Sequence, residues 1–86
     1  MTDERWAHIS EEHAELAGCR RDVLEVISEP ERVVAGSASE RLALRTQSDG
    51  KILVVVYRET SYDGFVITAF VTRRLASLNR RKQLWP

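Results

Sequence analysis

The apolar positions of this chain change period once, near Pro30. Before it, Trp6, Ile9, His13 and Leu16 recur at helical spacing, with Thr2 or Asp3 as N-cap candidates and Gly18 as the stop. That predicts a first helix of about three to four turns. A second is predicted from about Arg20 to Ser28, with Val23, Leu24, Val26 and Ile27 as its apolar set and Pro30 ending it. Both helices are acidic on the outside.

After Pro30 the period is two. "RVVAG" reads as a short strand, "GSAS" as a flexible connection, and "RLALRT" alternates, with Leu42 and Leu44 on one face and Arg41, Ala43 and Arg45 on the other. Asp49-Gly50 predicts a two-residue hairpin loop. It would set Ser48 opposite Lys51, Leu44 opposite Val55, Leu42 opposite Tyr57, Arg45 opposite Val54 and Arg41 opposite Arg58. On that register Leu42, Leu44, Leu53, Val55 and Tyr57 form the face beneath the helices. "KILVVVYRE" is apolar on both faces, which marks a central strand. "TSYDG" then turns into "FVITAFVT", whose more apolar parity, Phe65, Ile67, Ala69 and Val71, belongs on the core face. A loop one residue longer or shorter would invert that assignment. "RRLASLNRRKQLWP" predicts a short helix through Leu75 and Leu78, then a tail. The expected architecture is one α+β domain over residues 1–86: two N-terminal helices on one face of a three- to four-stranded antiparallel meander, with a short C-terminal helix or tail.

A chain of 86 residues has room for one modest core, so any site lies on its surface or at a contact with a partner. The single cysteine, Cys19, cannot form an internal disulfide and no signal segment opens the chain, so a cytoplasmic location is expected. The longest apolar run, Ile52 to Tyr57, is too short to span a bilayer. Charge adds more. Nine acidic and three basic residues precede Arg32, whereas ten basic and four acidic residues lie from Arg32 onward, giving −6 and +6. The basic half suits an anionic partner, or the chain's own acidic helices.

His8 and His13 stand five apart, about 140° around a helix, so they do not converge as a metal-binding pair on one helix does. Cys19 has Arg20 and Arg21 beside it, but no motif marks it as a nucleophile. No glycine-rich phosphate loop, serine elbow or paired cysteines occur, and neither a cofactor nor a metal is implied. The sheet face away from the helices is expected to carry Arg41, Arg45, Arg58, Thr68, Val54 and Phe70. Arginines for phosphate and an aromatic ring for stacking are what RNA binding on a sheet requires, and Arg73 and Arg74 extend the set. Arg41 facing Arg58 would be unfavourable by up to about 1 kcal/mol unless an anion or carboxylate sits between them. Each candidate also has a plain structural reading: His13 as a core-edge histidine, Trp6 as a core anchor, Thr68 as a strand former, and the arginines as solvated or covered positions.

The series "WAHISEEHAEL", "VLEVISEPERVV", "ILVVVYRE" and "GFVITAF" resembles the small phage- and mobile-element-associated nucleases of the barnase, EndoU, colicin and RelE-like superfamily, over almost the whole chain. The resemblance implies a catalytic set of His8, His13 and Thr68 with Arg58 as cationic partner; the RNA contacts expected from the sheet face and the basic segment are Arg41, Arg45, Phe70, Arg73 and Arg74. Ala14 stands where proline is usual in that family and Phe70 where tyrosine is usual. The expected function is a toxin-like, metal-independent ribonuclease: a histidine takes the 2′-hydroxyl proton while cations and a hydroxyl stabilise the phosphorane. A neutralising antitoxin protein would then bind over Arg45, Arg58 and Thr68. The alternative is a non-catalytic module that binds nucleic acid or an acidic partner protein through the basic sheet face and C-terminal tail.

Overall fold

The computed structural model describes residues 1–59 and 64–86. Helix α1 (Asp3–Glu12) starts at Thr2, whose Oγ1 accepts the Arg5 N–H at 3.1 Å, and Asp3 and Glu4 complement the positive end of the helix. It is shorter than the apolar spacing predicts. His13 leaves helical conformation (φ −127°, ψ 80°), and the chain tightens into a 3-10 turn over Ala14–Leu16. Glu11 and Glu12 sit at the negative end of α1 with no basic residue in the last turn, which disfavours continuation. Gly18, at φ +78°, then redirects the backbone into α2 (Arg20–Ser28), which spans the predicted residues.

The strands are β1 (Arg32–Ala35), β2 (Arg41–Thr46), β3 (Ile52–Glu59) and β4 (Gly64–Thr72), followed by helix α3 (Leu75–Asn79) and strand β5 (Gln83–Trp85). All neighbouring strands are antiparallel in the order β4-β3-β2-β1-β5. The fold is therefore α+β: two N-terminal helices, an open five-stranded sheet and a short C-terminal helix. The predicted tail is a fifth strand, because after β4 the chain crosses the whole sheet and pairs with β1 at the other edge. Arg32 fastens this crossing, donating from Nη1 to Asn79 Oδ1 at 2.8 Å and from Nε to Gln83 Oε1 at 3.1 Å. Among the described residues, no helix is long and apolar enough to cross a membrane. The predicted turn over residues 60–63 lies outside the described residues.

The β2–β3 hairpin corrects the expected register. Gly50 donates to Gln47 O at 3.0 Å, Gln47 donates to Lys51 O at 2.7 Å, and Gly50 takes φ +82°. The loop is thus three residues, Ser48 to Gly50, with glycine in the left-handed position that such a loop uses. Asp49 Oδ1 accepts the Lys51 N–H at 3.0 Å and holds the turn closed. Leu42 pairs with Val56, Ala43 with Val55, Leu44 with Val54 and Arg41 with Tyr57, one residue away from expectation. Such a slip moves every β2 side chain to the other face. Ala43, Arg41 and Arg45 lie on the helix side, and Leu42 and Leu44 lie on the far side.

A bulge corrects β4 in the same way. Val56 pairs with Thr68 and the next residue, Tyr57, with Val66, so Ile67 is the extra residue. Beyond the bulge Ala69 and Val71 face the helices as predicted. Before it the parity inverts: Val66 enters the helix-side core, Ile67 packs into the far-side core, and Phe65 pairs with Arg58 with nearly half its surface exposed.

Two cores result. Under α1 and α2, Ile9, Leu16 and Val23 pack on Leu53 and Val55, with Trp6 at the margin. On the far side Val34, Leu42, Leu44, Ile52, Val54 and Val56 are covered by the crossing segment, whose Leu78 is 3% exposed. Strand β3 is buried on both faces, as its unbroken apolar run predicts. Leu78→Ala is expected to cost about 2–5 kcal/mol of stability, measured by urea unfolding, because it is the one α3 side chain buried in the far-side core. A loss below half a kcal/mol would mean that the crossing segment does not seal that core.

Candidate functional site

The sheet separates residues that the sequence pattern puts on one face. Arg41 and Arg45 lie on the helix side, in reach of acidic groups. Arg41 Nη1 is 3.3 Å from Glu59 Oε2, and Arg45 lines a cleft together with Asp22 and Glu25 of α2. The expected Arg41–Arg58 repulsion does not arise, since Arg41 pairs with Tyr57 across the ladder. Arg58, Thr68 and Phe70 do lie on the far side. Arg45 is on the opposite face from Arg58 and Thr68, so these three do not form one flat surface for a partner.

The far side is not the open platform that base stacking needs. Val54 is completely buried and Phe70 is half-buried against the core. Phe70 instead meets His13, with ring centroids 6.3 Å apart and planes tilted by 39°. Arg58 Nη2 lies 3.8 Å from Glu40 Oε1. Arg58 Nε and Thr68 Oγ1 are both buried without a hydrogen-bond partner among the described residues. They project from neighbouring strands on the same face, close to diagonal positions of the ladder. Unmet buried polar atoms of this kind are uncommon, and each one destabilises a fold by about 1–3 kcal/mol.

The two histidines are held apart. His8 is exposed on α1, with Nε2 3.0 Å from Glu12 Oε1 one turn later. His13, at the break after α1, has Nδ1 3.4 Å from Glu15 Oε1. The structure therefore brings His13 to Phe70 and Arg58 near Thr68, and leaves His8 exposed beside its own glutamate. Cys19 is a half-buried free thiol at the head of α2, packed against the helix-side core.

Arg73 and Arg74 join β4 to α3 and are exposed, as are Arg80, Arg81 and Lys82 after α3. Arg74 N–H donates to Thr72 Oγ1 at 3.0 Å, and Arg81 Nη1 donates to Ala35 O at 3.2 Å, which set the ends of the segment. The acidic helices thus lie on one side of the sheet and the arginine-rich crossing on the other. Sequence reasoning noted the basic run but not that its second half, Arg80 to Lys82, leads into a strand. The run's lack of any acidic residue was the available signal.

Among the described residues, Tyr57 has the one clearly displaced ionisation. Burial raises its pKa above the ordinary tyrosine value, and the Glu59 carboxylate raises it further, against the opposing charge and hydrogen bond of Arg41. The folded state holds this proton more tightly than the unfolded chain. Its contribution is therefore complete below pH of about 10 and is lost as pH rises through the folded pKa. Tyr57→Phe is expected to lessen the fall in Tm between neutral pH and pH of about 11; an unchanged alkaline slope would show that Tyr57 ionises as freely when folded as when unfolded.

Comparison of the chain with protein-family models, with curated proteins and with solved structures finds no match.

Proposed function

We propose that this chain is a nucleic-acid-binding module that engages RNA through the arginine-rich crossing segment on the far side of its sheet. The observation that supports this is the separation of charge across the sheet. The part of the chain up to Glu31, which supplies the helices, carries nine acidic against three basic residues, and even with Arg41 and Arg45 the helical side is net acidic, whereas the segment from Arg73 onward carries five basic residues and no acidic one. A polyanion is attracted to the second surface and repelled from the first, so the protein's own field sets the docking orientation. Exposed Arg73 and Arg74 at one end of α3, with Arg80, Arg81 and Lys82 at the other, offer phosphate contacts on a rigid support. The half-buried Phe70 and the fully buried Val54 argue for backbone contact rather than base stacking on the sheet.

Fluorescence anisotropy with a labelled single-stranded RNA, titrated at several salt concentrations, tests this reading. Log affinity is expected to fall linearly with log salt, and Arg73→Ala with Arg74→Ala is expected to reduce the slope by about 0.7 for each phosphate contact removed. An affinity insensitive to salt, or absent at low salt, would sink the proposal.

A second reading, a metal-independent ribonuclease of the RelE-like kind, draws support from the unpartnered Arg58 Nε and Thr68 Oγ1 on adjacent strands. In that reading His13 at the β4 edge takes the 2′-hydroxyl proton, while Arg58 and Thr68 stabilise the phosphorane. The discriminating experiment incubates RNA with the protein in the presence of a chelator. Cleavage by the wild type, lost in His13→Ala and Arg58→Ala while RNA binding persists, would establish the chemistry. Intact RNA with the wild type at saturating binding would leave the binding module alone.

A further inference from the structure

The helix layer does not reach the β1–β5 edge of the sheet. Where α2 ends, an open cleft of about 570 Å³ remains on the helix side. Val33 of β1, Tyr57 of β3, and Leu84 and Trp85 of β5 supply its apolar walls, and Glu29 and Glu59 its acidic groups. Trp85 is 50% exposed and Leu84 41%, high values for large apolar side chains held in a strand. Leu24 is also exposed and lies one helical turn before Ser28, which lines the same cleft, so the apolar surface continues along α2.

Of the cleft's charged groups two are acidic, Glu29 and Glu59, and one is basic, so it is net negative. Its arginine, Arg41, is already engaged by Glu59. Glu29 caps the C-terminus of α2, where the helix dipole is negative and no basic residue of the last turn offsets it. Aromatic faces flanking a negative terminus suit a cation, which is attracted both to the ring quadrupoles and to the carboxylate. Guanidinium fits best, since it is planar, stacks on aromatic rings and forms paired hydrogen bonds to carboxylates.

We propose that this cleft is the docking site for a basic, partly apolar segment of a partner protein, which places an arginine between Tyr57 and Trp85 with its head toward Glu29 and aliphatic neighbours on Leu84 and Leu24. The partner's remaining basic residues face the acidic helices, which steer it to this side. The surface lies across the sheet from α3.

The test uses the full chain carrying Trp6→Phe, so that emission reports Trp85, with three synthetic peptides of equal length built from Arg and Leu, Arg and Ser, or Glu and Leu. Saturable one-to-one binding of the Arg/Leu peptide with a shift in Trp85 emission is expected. By calorimetry in the Trp6-containing chain, Trp85→Ala and Glu29→Lys should each weaken it about tenfold or more, the loss that separates an anchor from a rim contact. Equal binding of the Arg/Ser peptide would reduce the effect to diffuse attraction by the helices and overturn the proposal. Equal binding of the Glu/Leu peptide would reduce it to apolar adhesion and overturn it as well. A dimer in sedimentation that Trp85→Ala dissociates would assign the cleft to a second copy of this chain instead. Glu29→Lys alters an exposed residue and carries the test alone if Trp85→Ala perturbs folding.

Discussion

A strand that is apolar on both faces obliges a small protein to cover both faces of its sheet. β3 imposes that demand here, since Leu53 and Val55 point one way and Ile52, Val54 and Val56 the other, all of them buried. Two helices meet the demand on one side. On the other a helix of five residues and the backbone around it must suffice, and they do so by placing Leu78 in one cluster with the valines and leucines of β1, β2 and β3. The charge arrangement follows from the same requirement. The cover on one side comes from the acidic part of the chain and on the other from the basic part, so the hydrophobic constraint also gives the molecule two electrostatically distinct sides.

The two-sided burial also explains what the sequence could and could not reveal. The extents of α2 and of β1 to β4, and the presence of a short helix through Leu75 and Leu78, are written in local periodicity, and they appear where that periodicity puts them to within about a residue. The face of β2 is not. Asp49-Gly50 suits a two-residue loop and equally a three-residue loop with glycine at the left-handed position. Counting apolar side chains would decide between them only if one face were wet. Leu42 and Leu44 are buried on the far side as well as they would have been beneath the helices, so their alternation carries no information about which way they point. The bulge at Ile67 was silent for a related reason, since Phe65, Val66 and Ile67 are all acceptable in a core of either side. β5 shows no alternation in three exposed residues, and only its long-range pairing with β1 defines it.

The candidate site suffered from the same one-residue ambiguity. Arg58, Thr68 and Phe70 lie on the far face, where their positions in β3 and in the later half of β4 put them. Arg41 and Arg45 belong to β2 and went with its register, to Glu59 and to the vicinity of Asp22 and Glu25. A basic residue in a strand thus reveals an ability to bind an anion, whereas the register decides whether that anion is a ligand or the chain's own carboxylate. His8 and His13 illustrate the same point on a smaller scale, each meeting a nearby glutamate.

The crossing from β4 to β5 also has a consequence in time. Both covers of the sheet close over long stretches of chain: Arg5 of α1 donates to Ile67 O of β4, 62 positions on, and Arg32 ties to Asn79 and Gln83, 47 and 51 positions on. Contacts of such long sequence separation carry a larger loop-closure entropy and form late in folding. The far face of the sheet, lined with Val34, Leu44 and Val54, stays uncovered until the segment that follows β4 has crossed it. Until then the chain presents a bare β surface to whatever surrounds it, and charges that flank such a surface, like the arginines on either side of α3, oppose its pairing with another chain.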